Sequence, residues 1–103
     1  MKIEFDPRKR AKSLAERGLD FARAEEVFAG PTLTWRDDRT GYGEDRFISF
    51  GLLDGRHVVL VWTPRDHARR IISMRKANDH EIEKHAQALG RPGRRSGADR
   101  RVL

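Results

Sequence analysis

The chain has 103 residues, 22 Lys and Arg against 16 Asp and Glu, and no Cys. That length suits one domain around one core, and the missing Cys excludes disulfides, thiolate nucleophiles and Cys-ligated zinc. Only 37% of residues are apolar, no run nears the roughly 20 residues of a membrane helix, and Met1 to Glu4 lack a secretory leader's apolar stretch, so a soluble, cytoplasmic chain is expected.

Lys2 to Phe5 alternates polar and apolar residues, as a short strand does. Asp6-Pro7 then starts a helix: the Asp side chain accepts from orphan N–H groups, and Pro loses nothing at the first helical position. Ala11, Leu14 and Ala15 share one face of this helix, basic residues occupy the rest, and Gly18 ends it. Asp20 caps a second helix carrying Phe21, Ala24, Val27 and Phe28, which Gly30-Pro31 stops. Phe21, Val27 and Phe28 are either fully core or partly interfacial, and the residues alone allow both. Thr32 to Trp35, Arg46 to Leu53, His57 to Thr63 and Arg69 to Arg75 read as strands. Asp54-Gly55 marks a hairpin between the second and third of these, because both residues tolerate positive φ. Asn78 and Glu81 open a last helix as a partial capping box, with Ile82, Ala86 and Leu89 on its apolar stripe. The order β-α-α-β-β-β-β-α predicts an α+β domain over residues 1–90. Its sheet is expected to be antiparallel, with the helices over one face. Residues 91–103, with five Arg and one Asp, read as a basic disordered tail.

Two basic poles, residues 1–19 and 63–76, flank an acidic middle, which suits a polyanion or an acidic partner. The segment from Arg69 to Lys76 is the most informative. Strict alternation groups Arg69, Ile71, Ser73 and Arg75 on one side and Arg70, Ile72, Met74 and Lys76 on the other. In one reading Ser73 and Arg75 meet a phosphate, which the guanidinium fork can grip with two bonds. In the other, Arg75 is ion-paired with Glu81 or Asp79. Trp62 beside Arg65 and His67 is either a base-stacking ring or, in phase with Val58 and Leu60, part of the core; the core is favoured. Trp35 is a better candidate for an exposed ring than Trp62, though core packing is favoured for it as well. Glu44 is the one carboxylate suited to accept a proton, with an ion pair to Arg46 as the alternative. Arg46 alternates with Ile48 and Phe50, which argues against its facing a site. His80 and His85 are five apart and cannot share a metal from a regular helix, so no metal site and no cofactor are expected.

Ile-Glu-Phe-Asp-Pro-x-Lys at residues 3–9, Gly-Leu-Asp-Phe at 18–21, Glu-Asp-Arg-Phe at 44–47 and Arg-Ile-Ile-Ser-Met-Arg-Lys-Ala at 70–77 together resemble the BrnT family, over roughly residues 2–89. These are toxins of bacterial type II toxin–antitoxin pairs. The resemblance implies a RelE-like fold and metal-independent endoribonuclease activity that inhibits translation and growth. It also implies neutralisation by a BrnA antitoxin, with operator DNA bound only through the toxin–antitoxin complex. Arg46 and Arg75 correspond to the phosphate-gripping pair, with Arg65 adding charge and Glu44, His80 or His85 moving protons. Lys76, Arg69, Arg70, Ser73 and His85 become RNA contacts, His85 standing where the family often has Tyr. The competing reading is a non-catalytic module that binds nucleic acid or an acidic protein through Arg8, Lys9, Lys12 and the tail.

Overall fold

A computed structural model of the chain describes residues 2–39, 41 and 43–89. The tail expected over 91–103 lies outside them. The elements run β1 (Lys2–Phe5), α1 (Pro7–Arg17), a 3-10 turn (Phe21–Arg23) leading directly into α2 (Ala24–Ala29), then β2 (Leu33–Arg36), β3 (Phe47–Leu53), β4 (Arg56–Arg65), β5 (Ala68–Lys76) and α3 (Asp79–Leu89). This is an α+β architecture on one five-stranded sheet of order β1-β5-β4-β3-β2.

The sheet is mixed, which corrects the expected antiparallel one. β2 to β5 pair antiparallel, but β1 runs parallel to β5, with Ile3 opposite Arg69 and Phe5 opposite Ile71. Short turns force antiparallel neighbours, whereas a strand followed by a helical crossover is free to lie parallel.

The local signals work as read. Asp6 accepts from the Arg8 N–H at 2.8 Å, and Asp20 from the Ala22 N–H at 2.9 Å. Gly18, at φ 71°, donates its N–H to Leu14 O at the end of α1. Asp54 and Gly55, at φ 52° and 77°, form the β3–β4 turn, the conformation a two-residue hairpin demands.

One irregularity decides what β5 presents. Trp62 lies opposite Ile71, but Val61 lies opposite Ser73, so Ile72 is an extra residue. This bulge breaks the alternation. Ile71 and Met74 are both buried in the same core, with Leu19, Phe21, Val27, Leu53, Leu60 and Trp62. Ile71 and Arg75, expected to share a side, are therefore on opposite sides. The core lies between the sheet and the N-terminal helical segments. Of the three residues left open between core and interface, Phe21 and Val27 are fully core and Phe28 is partly buried against it. Trp62 is core, as favoured. Its indole N–H is satisfied by Ser49 Oγ at 2.9 Å, and its ring stacks on Phe47.

The helices do not share a face. Phe50, Val59 and Arg75 are directly opposed across three strands, and opposed residues project to the same side. α3 packs there: His85 lies against Phe50 and Trp35, and Glu81 binds Arg75. The sheet is thus a partition, with α1, α2 and the core on one side and α3 on the other.

Close approach of α2 depends on Gly51. A Cβ there would sit 2.7 Å from Val27 Cγ1 and 3.0 Å from Thr32 Cγ2. Gly51→Ala is therefore expected to cost about 1–3 kcal/mol through overpacking. A urea melt checks this, with a midpoint equal to the parent's counting against it.

Candidate active site

The α3 side of the sheet gathers the cations. On β5, Arg75 lies opposite Val59, Ser73 opposite Val61, and Arg70 opposite Thr63. These three rows of β4 and β5 carry two guanidiniums on a floor of Val59, Val61 and Thr63. Arg65 ends β4 on the same side by alternation. Arg46, one residue before β3, continues the row of Ile48 and Phe50. Because Ile48 and Phe50 point toward α3 and not toward the main core, the objection to a site-facing Arg46 disappears. The backbone fixes this entry to β3: Thr63 Oγ1 donates to Asp45 O at 2.6 Å, and the Asp37 N–H donates to Arg46 O at 2.8 Å.

Each cation has a carboxylate. Glu44 stands between Arg46 (3.3 Å) and Arg65 (3.7 Å), which joins two expected site arginines through the expected proton acceptor. Arg70 pairs with Glu4 of β1 at 2.9 Å. Arg75 donates two bonds to Glu81, at 2.7 and 2.6 Å. The Arg75 hydrogen bonds hold the Glu81 carboxyl well below its ordinary value, at about 2. Glu81 also closes a reciprocal capping box, its own N–H donating to Asn78 Oδ1 and its Oε1 accepting from the Asn78 N–H.

The two ends of this face are distinct. Arg46 precedes by four residues the Phe50 row in which Arg75 lies, and β4 intervenes. At about 3.4 Å per residue and 4.8 Å per strand, their Cα atoms are roughly 16 Å apart. The expected Arg46–Arg75 pair is thus two separate guanidinium centres on one surface. Arg69 and Lys76 are elsewhere. The Arg69 guanidinium lies 4.1 Å from the Phe28 ring centroid on the α2 side. Lys76 lies opposite Val58 and lines a groove with Leu14 and Leu53. His85 is wedged against Trp35 and Phe50 at centroid distances of 4.9 and 5.3 Å, and Trp35 is 36% exposed.

Asp37 is a charged residue that the sequence did not single out. Its side chain is buried, bonded by Arg39 Nε and Nη2 at 2.9 and 2.7 Å. The Arg39 bonds, with help from the nearby Arg46 charge, lower its pKa. Asp37 follows β2 in a run of charged residues, so no apolar periodicity marks it as buried. Among the described residues no three His, Asp or Glu gather as metal ligands, and no helix is long and apolar enough to cross a membrane.

A family model for the BrnT ribonuclease toxin of type II toxin–antitoxin systems matches residues 5–81. The chain belongs to the BrnT family. It is by that membership a ribonuclease toxin of a type II toxin–antitoxin system, a class whose partner is a protein antitoxin. The BrnT match contains Glu44, Arg46, Arg65, Arg70, Ser73 and Arg75 and ends at Glu81, before His85. No curated protein sequence matches closely enough to add to this.

Glu81 and Asp20 are both held at about 2 in the folded chain, Glu81 by Arg75 and Asp20 by Arg10. A carboxylate depressed by folding contributes stability above its unfolded pKa and loses it as pH falls through the folded one. Thermal stability is thus expected to decline as pH drops from about 4.5 towards 2. Glu81→Gln should flatten that decline, which circular dichroism melts at several pH values measure; an unchanged slope would contradict the pairing.

Proposed function

We propose that the chain cleaves RNA without a metal ion, on the α3 side of its sheet, and so inhibits translation and growth until a BrnA-type antitoxin neutralises it. The RelE-like reading of the fold belongs with this proposal. The observation that carries it is the grouping of Arg46, Arg65, Arg70 and Arg75 on the one sheet face that the main core leaves half-covered, in a chain of a ribonuclease family.

The chemistry follows from what RNA cleavage demands. The 2′-oxygen attacks the adjacent phosphorus, the bond from phosphorus to the 5′-oxygen breaks, and the products are a 2′,3′-cyclic phosphate and a 5′-hydroxyl. One proton leaves the 2′-OH and one reaches the 5′-oxygen. Between these events negative charge builds on the phosphoryl oxygens. Fixed guanidiniums stabilise that charge without reorganising, which is where most of the rate comes from. The Arg46–Glu44–Arg65 cluster combines both needs: two cations for the phosphate and a carboxylate beside them to take the 2′ proton. Arg75, about 16 Å away, grips a phosphate further along the strand, with Ser73 in the row between and Arg70 in the Thr63 row, level with Arg46. Phosphate at Arg75 takes over the two bonds that Glu81 now receives. Trp35, exposed beside His85, offers a ring on which a base can stack. Arg69 and Lys76 take no part, since an RNA on this face does not reach the opposite side.

Arg46→Ala is expected to lower RNA cleavage by about 10²–10³-fold, the usual cost of losing a charge-stabilising donor. Arg75→Ala is expected to abolish growth inhibition while the chain still folds and binds antitoxin. Cleavage of a labelled RNA should persist in EDTA and leave cyclic phosphate ends. A folded Arg75→Ala variant with full toxicity would remove Arg75 from the site. Cleavage lost in EDTA would overturn the metal-independent mechanism, and RNA retained without cleavage would favour the non-catalytic module.

A further inference from the structure

The largest groove described lies on the other side of the sheet, away from the cationic face. It has a volume of about 630 Å³ and runs between the end of α1, the 3-10 turn and the β3–β4 hairpin. Its floor is apolar: Leu19, Leu53 and Val58 are core residues. Leu14 stands at its edge with 47% of its surface exposed, against the rule that an amphipathic helix turns its Leu inward.

The rim is positive. Arg17, Arg56 and Lys76 line the groove. Arg17 donates to a backbone carbonyl, Met74 O, at 3.2 Å. Arg56 and Lys76 have no hydrogen bond or ion pair to a carboxylate among the described residues, and Arg56 feels Asp54 only at longer range. The acidic groups nearby are already neutralised. Asp54 is bonded twice by Arg23 at 2.7 Å, and Asp20 by Arg10 at 2.7 Å. What is left unmatched is an apolar trough edged by cations.

Charge selects the occupant. Residues 91–103 carry five Arg and one Asp, the wrong sign for this rim, and a second copy of a basic chain is equally mismatched. RNA fits the cations but leaves Leu14 and the apolar floor in contact with nothing apolar. A segment bearing an apolar side chain between carboxylates satisfies both. Building on the reading of this chain as a toxin with a protein antitoxin, we propose that this groove docks an acidic segment of the antitoxin, an apolar side chain seated against Leu14 and carboxylates meeting Arg56 and Lys76. The segment then holds the toxin from the side opposite the RNA-cleaving face.

The test co-expresses the full chain with the protein encoded by the neighbouring open reading frame, taken as the antitoxin, and measures their affinity, with RNA cleavage by the isolated toxin as a second readout. Leu14→Glu and Arg56→Glu both replace exposed residues, so both variants should fold, which thermal melting verifies. Each is expected to weaken antitoxin binding by at least tenfold and to escape growth rescue, with RNA cleavage unchanged. Parent-like affinity in both variants overturns the groove while leaving the ribonuclease reading intact. A parallel loss of RNA cleavage overturns it in favour of RNA in the groove. A parent chain that cleaves RNA but does not bind that protein overturns it as well, and a parent that neither cleaves nor binds brings down the toxin reading itself.

Discussion

The extra residue in β5 governs how this small domain divides its labour. A regular strand would have to choose: with Ile71 turned to the core, Met74 would face away and Arg75 would be drawn inward. The bulge at Ile72 lets two core side chains separated by three positions point the same way. It then releases Arg75 to the far side, in line with Arg70. Burying Ile71 and Met74 is worth a few kcal/mol of apolar transfer, while burying an unpaired guanidinium would cost more than that. The bulge satisfies both requirements, and it is the reason a strand with four cations serves a core on one side and a charged surface on the other.

That charged surface is ordered by pairing. Glu4, Glu44 and Glu81 hold Arg70, Arg46 with Arg65, and Arg75. Exposed pairs of this kind add little stability. Their effect is to restrict long side chains to a few orientations over a floor of Val59, Val61 and Ile48, and an anion arriving there meets donors already aimed outward. The opposite side achieves its solidity by conventional means, through the core, the Trp62–Ser49 hydrogen bond and the close approach of α2 to Gly51.

Much of this was legible in the residues. The caps at Asp6, Asp20 and Asn78, the Asp54-Gly55 turn and the core position of Trp62 each have a local chemical cause, and local causes survive folding. The pairing of Arg75 with Glu81 was one of two readings that six residues of separation allowed. What failed depended on relations between distant segments. Alternation cannot announce a bulge, because the extra residue is defined only by the partner strand. The parallel placement of β1 follows from where the helices cross, and the position of α3 follows from which face the earlier helices have already filled. Arg69 and Lys76 were misplaced for the first of these reasons. Arg46 and Arg75 lie on one face, but the single phosphate-gripping pair expected of them is split across β4, a property of register that the sequence does not carry.

The Glu81 carboxylate has a particular geometry. Its Oε1 receives the Arg75 Nη1–H and the Asn78 backbone N–H, and its Oε2 receives Arg75 Nη2–H. Three donors from two different elements converge on one side chain, which therefore rivets the end of β5 to the start of α3. Aspartate has the same charge and one methylene fewer. From the third helical position it can reach back to the backbone or outward to the strand, but not to both, so chain length and not charge makes this joint possible.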